Sequence, residues 1–251
     1  MFNRFKKTQP APAESPIAAA PPLAGVPAGL VSLVKTAGVS LTKAGVPGGQ
    51  RAAVYLVIDR SYSMRVYFRI GAVQALADQA LGLSALLDDD GTVPLVLFDS
   101  RPYPVVDISL DRYQGVVAQQ HQLHGGDDTM GGTQYAIAMN TVIEHYTRSG
   151  ATDPALVIFQ TDGDPQDKDA ARLALAQASK RPIFWSFVGF GPREVGFLRQ
   201  LDTLGGRAVD NAAYFHAGAN PSGLPDSVLY DGITQGFGSW LSAARAKGIL
   251  R

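Results

Sequence analysis

The pattern of apolar and polar positions divides the chain near residue 50. Residues 1–28 carry Pro10, Pro12, Pro16, Pro21, Pro22 and Pro27 among Ala and Ser. Prolines at that density deny the backbone its helix and sheet ladders, so a disordered tail is expected. Next come Val31-Ser-Leu-Val-Lys35 and Val39-Ser-Leu-Thr-Lys43, two copies of a motif that alternates apolar with polar. Such alternation suits a half-buried strand, so residues 29–50 read as a short strand-like segment. Gly45, Pro47, Gly48 and Gly49 break it and set the boundary of the main domain, residues 51–251.

In that domain the pattern switches between short apolar runs and longer helical stretches. Ala53–Ile58 is continuously apolar, as a strand buried on both faces must be. Ile70–Leu87 has helical length and two apolar stripes, so it predicts a helix with a wide buried face. Val93–Phe98 is a second strand, and Val105–Leu110, following Pro102 and Pro104, is an edge strand. Asp111–Gln120 and Gln134–Thr147 read as helices. Strand Ala155–Gln160, helix Asp169–Ser179, strand Ile183–Val188 and helix Glu194–Leu204 follow. A short strand near Tyr214–His216 precedes a last helix over Asp226–Lys247. Strands alternating with helices predict an α/β fold: a doubly wound, mostly parallel central sheet with helices on both faces. Ligands of such sheets bind beyond the carboxyl ends of the strands, where the strand order reverses.

Composition narrows the chemistry. The 22 basic side chains balance the 22 acidic ones, which argues against an electrostatic nucleic-acid binder. There is no Cys, hence no disulfide, thiolate metal site or Cys nucleophile, and the four His show no zinc spacing. No run of apolar residues is long enough to span a bilayer, and the basic start lacks the apolar core of a secretion signal, so a cytoplasmic protein is expected. The neutral total is unevenly divided. Arg4, Lys6, Lys7, Lys35 and Lys43 face only Glu14 in residues 1–50, so the rest of the chain is net acidic. Phe2 and Phe5 beside Arg4, Lys6 and Lys7 suit weak contact of residues 1–7 with an anionic membrane surface, although a solubilising start explains them as well.

The chemistry concentrates at the predicted strand tips. The first core strand runs into Asp59-Arg-Ser61-Tyr-Ser63, without the glycines of a nucleotide cradle, and no nucleophile-elbow motif occurs in the chain. One carboxylate and two hydroxyls at alternate positions of an extended tip point the same way and offer hard oxygen ligands to Mg²⁺ or Mn²⁺. Asp162 stands at the next such tip, in Thr161-Asp-Gly-Asp164, and Thr133 ends a glycine-rich loop, Gly125–Thr133, before a helix. Capping explains parts of this set: Thr133 suits an N-cap and Asp162 an Asx turn. Asp127, Asp128 and Asp164 suit a solvated acidic rim, and Arg60 suits either steering of an acidic partner or simple exposure.

Taken in order, D-x-S-x-S at Asp59–Ser63, the Gly-Gly-Thr loop at Thr133 and the T-D-G tip at Asp162 resemble the metal-ion-dependent adhesion site of von Willebrand factor A domains. The resemblance implies a sheet with one antiparallel edge strand. It also implies a divalent ion, Mg²⁺ or else Mn²⁺ or Ca²⁺, held by Asp59, Ser61, Ser63, Thr133 and Asp162. The function implied is that of a protein-interaction module, not an enzyme, whose partner supplies an acidic residue to the metal. Val54–Met64 and Gln160–Pro165 look like the A-domain proteins of bacterial tellurium-resistance and stress-response clusters. The Val31–Val46 segment is similar to the opening of that system's calcium-binding domain, without its acidic loops. Tyr62 stands where many A domains carry Gly. Two other readings stay open: an Mg²⁺-dependent hydrolase or phosphatase with Asp59 as nucleophile, and a scaffold whose metal is purely structural.

Overall fold

Four apolar runs form the parallel centre of one six-stranded sheet. The computed structural model describes residues 25–250; the predicted tail and the basic residues 1–7 therefore lie wholly or largely outside the described residues. The strands are β1 (Ala53–Asp59), β2 (Thr92–Phe98), β3 (Val106–Ser109), β4 (Ala155–Thr161), β5 (Ile183–Phe190) and β6 (Ala212–Gly218). They lie in the order β3-β2-β1-β4-β5-β6, and only β3, at one edge, is antiparallel. Every residue of β4 and β5 is buried, which is why those sequences are apolar without alternation.

The helices are α1 (Val31–Lys43), α2 (Arg65–Arg69), α3 (Ala72–Leu87), α4 (Val116–Leu123), α5 (Tyr135–Ser149), α6 (Lys168–Ala178), α7 (Gly196–Asp202), α8 (Asp226–Thr234) and α9 (Phe237–Ala246). Helices α1, α3, α8 and α9 cover one face of the sheet, and α5, α6 and α7 cover the other. Among the described residues no single helix is long and apolar enough to cross a membrane.

Two differences from the sequence reading matter. The segment read as strand-like, Val31–Lys35 and Val39–Lys43, is the single helix α1. Its buried side is Leu30, Val34, Ala37, Ser40 and Leu41, a helical spacing that the stronger Val-Ser-Leu repeat disguises. It packs on α3 and α8 in the same core as the sheet. Ser40 and Lys43 bond to Asp231 of α8 at 2.5 and 3.0 Å. The second difference is punctuation by glycine. Gly71 and Gly236 adopt left-handed φ values of 75° and 77°. A left-handed residue cannot continue a right-handed helix. The first therefore separates α2 from α3, and the second divides the expected Asp226–Lys247 helix into α8 and α9.

Candidate metal centre

Four of the five candidate ligands, Asp59, Ser61, Ser63 and Asp162, are joined by hydrogen bonds where the sheet order reverses. β1 and β4 are neighbours, with Ile58 opposite Gln160, so Asp59 and Thr161 end adjacent strands. β2 and β3 continue to one side of this pair and β5 and β6 to the other, which makes their carboxyl ends the crevice of a doubly wound sheet.

Asp59 is fully buried. Its Oδ1 accepts a hydrogen bond from the Ser61 backbone N–H at 2.7 Å, and its Oδ2 accepts one from Thr161 Oγ1 at 2.5 Å. Ser61 Oγ lies 3.2 Å from Ser63 Oγ, and Ser63 Oγ donates to Asp162 Oδ1 at 2.7 Å. Asp59, Ser61, Ser63 and Asp162 are thus linked in one hydrogen-bonded chain, Asp59 through the Ser61 backbone and the others through side-chain oxygens. The extended tip expected from alternation does not persist, because after Ser61 the chain turns into a 3-10 helix over Tyr62–Met64. The turn leaves the two serine hydroxyls together and the Tyr62 ring in solvent.

Thr133 reaches the same edge through its loop. Gly131 pairs with Ser61 in an isolated parallel bridge and accepts the Tyr62 N–H at 3.0 Å. A Cβ on Gly131 would sit 3.0 Å from the Asp99 carboxyl carbon, and one on Gly132 would sit 2.7 Å from Gln166 Nε2. The two glycines therefore permit close approach to protein neighbours. The N-cap function that Thr133 suggested is taken by Asp167, whose carboxylate accepts the Tyr135 and Ala136 N–H groups at 2.9 and 2.8 Å. The buried Thr133 backbone is pinned by Gln166 at 2.8 Å, and its hydroxyl enters none of the hydrogen bonds among the described residues.

The charge balance here is one-sided. Burial pushes the Asp59 carboxyl up from 3.8 to about 7, despite its hydrogen bonds, and burial also raises Asp162. Among the described residues no cation offsets either shift. The one beside them in sequence, Arg60, is turned away and fully buried, so it neither steers a partner nor lies exposed. Its guanidinium bonds to Asp99, Tyr103, the Thr129 hydroxyl and the carbonyls of His124 and Gly126 at 2.6–3.2 Å. Its Nε donates to His121 Nδ1 at 3.2 Å. One side chain thereby fixes the loop that precedes Thr133. His121 passes the connection to Asp127 at 3.0 Å, and burial followed by the Arg60 charge holds its pKa down.

The expected rim acids are mostly engaged elsewhere. Asp127 pairs with Arg69 and His121, and Asp164 with Lys168 at 2.7 Å, while Asp128 is exposed. Met64 and Tyr67 belong to the core, Tyr67 packing on Phe190 with ring centres 5.1 Å apart. Thr161 is the site residue that sequence reasoning passed over, although it stands next to Asp162. Among the described residues no three His, Asp or Glu side chains gather as metal ligands. A cation at this edge would rest on hydroxyls with two carboxylates, a donor set suited to a hard ion. A buried and a half-buried carboxylate with no paired cation among the described residues, beside the Ser61 and Ser63 hydroxyls, fit such an ion.

The profile of the vWA-TerF-like family, the A domain found in the TerF C terminus, matches residues 51–250. The chain belongs to this family. The A domain is 30% identical over 201 residues to the uncharacterized protein YcbR of Bacillus subtilis, covering 80% of this chain and 82% of that one. Its fold is similar to manganese-loaded TRAP protein of Plasmodium vivax (TM-score 0.51, 19% identity, 72% of each chain). It is also similar to the SpRpn10 VWA domain (TM-score 0.50, 12% identity, 71% of this chain and 93% of that one). A third similar structure is mussel byssus proximal thread matrix protein 1 with a zinc-occupied MIDAS motif (TM-score 0.50, 14% identity, 74% and 47%). These likenesses establish the fold, with its single antiparallel edge strand.

Proposed function

We propose that this A domain is a divalent-cation-dependent protein-interaction module. Asp59, Ser61, Ser63, Thr133 and Asp162 would hold Mg²⁺, or Mn²⁺ or Ca²⁺ in its place. The observation that carries the reading is the pair of carboxylates, fully buried Asp59 and half-buried Asp162, linked through Ser61 and Ser63 with no cation among the described residues paired to either. Manganese and zinc in the TRAP and byssus structures favour a divalent ion in this kind of domain. When bound, the ion would supply a positive centre for an external carboxylate. The chain's own residues orient the hydroxyls and keep the loops in register. The partner is thus a protein presenting an Asp or Glu, and the TerF-like family match favours a cytoplasmic role in a bacterial tellurium-resistance or general stress response.

Hydrolysis with Asp59 as nucleophile is the less favoured reading. The side chain is fully buried, both its oxygens accept protein hydrogen bonds, and no Lys stands at the tip. Affinity capture with the full chain separates the readings. Recovery of the same partner with Mg²⁺ but not with EDTA, and not by Asp59→Asn, is expected. Equal recovery in all three conditions would contradict the proposal. Stabilisation by Mg²⁺ with no metal-dependent partner would favour a structural ion instead.

A further inference from the structure

Seven large apolar side chains are exposed among the described residues, and three of them, Tyr62, Val66 and Ile70, lie on one nine-residue segment beside the candidate ligands. They are 59%, 51% and 55% exposed. Tyr62 stands between Ser61 and Ser63, and the spacing of four along the 3-10 turn and α2 carries the three side chains along one ridge. The opposite side of the segment is fully used. Met64 and Tyr67 are buried, Tyr67 against Phe190, and Phe68 stacks on His121 at 4.3 Å. The segment is therefore apolar on both sides, and folding accounts for only one of them. Isolated exposed apolar residues need no explanation, but three at a spacing of four beside a candidate site do.

The ridge is also held in shape and charged. The Arg65 guanidinium sits 4.6 Å from the centre of the Tyr62 ring, which fixes the ring beside the site. Arg69 is held by Asp127, whereas Arg65 makes no salt bridge among the described residues. A surface of this kind offers apolar contact and one positive charge directly alongside a place for an acidic side chain.

We propose that Tyr62, Val66 and Ile70, with Arg65, form the specificity-determining half of the docking face. The segment they take is a peptide of a partner protein in which an acidic residue lies close to bulky apolar side chains. Its carboxylate goes to the metal, so the inference rests on the metal reading above, and its apolar side chains cover the ridge.

The test pans a displayed library of random 12-residue peptides on the immobilised full chain in Mg²⁺, with elution at low pH, which releases metal-dependent and metal-independent binders alike. Recovered peptides should carry Asp or Glu with Leu, Ile, Val or Phe close by. Synthetic versions should bind Val66→Ser/Ile70→Ser at least about tenfold more weakly than wild type, while the Mg²⁺ thermal shift of that variant stays unchanged and reports an intact fold and metal site. Acidic peptides without apolar enrichment, bound equally by both proteins, overturn the ridge and leave the metal reading standing. Acidic-apolar peptides bound equally in EDTA but lost in the double variant support the ridge and overturn the metal reading. Recovery of no peptide overturns the ridge. So does self-association of the wild type, in light scattering, that the double variant abolishes, because a second copy would then be the occupant.

Discussion

The buried Asp59 carboxyl makes a prediction that runs against intuition: replacing a proposed metal ligand should stabilise the metal-free protein. Ionising a carboxyl whose pKa has risen from 3.8 to about 7 costs the fold about 4 kcal/mol at most. Well below pH 3.8 both the folded and the unfolded carboxyl are protonated and the cost is absent. As pH rises from 4 to 7 the unfolded chain loses its proton first, so stability falls, and above about pH 7 the full cost applies. The Asp59→Asn variant keeps the shape and has no charge to bury. Its amide oxygen can still accept the Ser61 N–H, and its NH₂ can donate to Thr161 Oγ1, whose own proton then turns to the Gly163 carbonyl 3.3 Å away. Local relaxation lowers the ceiling, and half of it, about 2 kcal/mol, corresponds to a rise in Tm of about 4–8 °C for a domain of this size. Thermal unfolding of both proteins in EDTA at pH 8 and pH 4.5 measures the effect. The variant should melt higher at pH 8, and the difference should shrink at pH 4.5. Mg²⁺ should raise the wild type, by about 2.7 kcal/mol at a hundredfold excess over Kd, and leave the variant where it was. A variant that melts below wild type in EDTA at pH 8 would refute the argument from an uncompensated buried charge.

Two further perturbations probe the loop beside the site and the packing of the last helix. Arg60→Met removes the cation paired with buried Asp99 and releases the 124–129 loop; a loss of about 3–5 kcal/mol is expected in denaturant titration, and Arg60→Lys should recover little because it lacks the planar fork. Gly238→Ala would bring a Cβ to 2.2 Å from the Ala44 carbonyl oxygen, whereas Gly48 has nothing within 4 Å; the first should cost about 1–3 kcal/mol and Gly48→Ala close to nothing, measured as shifts in Tm.

The strands of the sheet centre were legible because burial on both faces removes any compromise in their sequence. Ala155–Gln160 reads as β4 to within a residue. The meeting of Asp59 and Asp162 was legible for a related reason: each stands at or just past the end of an apolar run, and a parallel sheet brings such ends together, whereas Thr133 lies on a loop before a helix and has no such signal. Helix α1 was not legible. Its contacts with α3 and α8 rely on small groups such as Ala37, Ser40 and Gly82, where a Cβ would meet Tyr230 Oη and Leu33. Small residues leave almost no hydrophobic signal, and the Val-Ser-Leu repeat then dominates the pattern. Arg60 was illegible for a different reason. Its partners lie 39–69 residues away in sequence, so nothing local shows that a charged residue at a strand tip turns inward. The ridge of Tyr62, Val66 and Ile70 became visible only once Met64 and Tyr67 were seen to bury the other side of the same short helix.

The most direct measurement is calorimetric titration of Mg²⁺, and separately Mn²⁺, into the full chain at pH 8. One saturable site per chain is predicted, weakened at least about tenfold by Asp59→Asn, Ser63→Ala or Asp162→Asn and unaffected by Asp128→Asn. Absence of saturable binding, or binding that survives all three substitutions, would contradict the account.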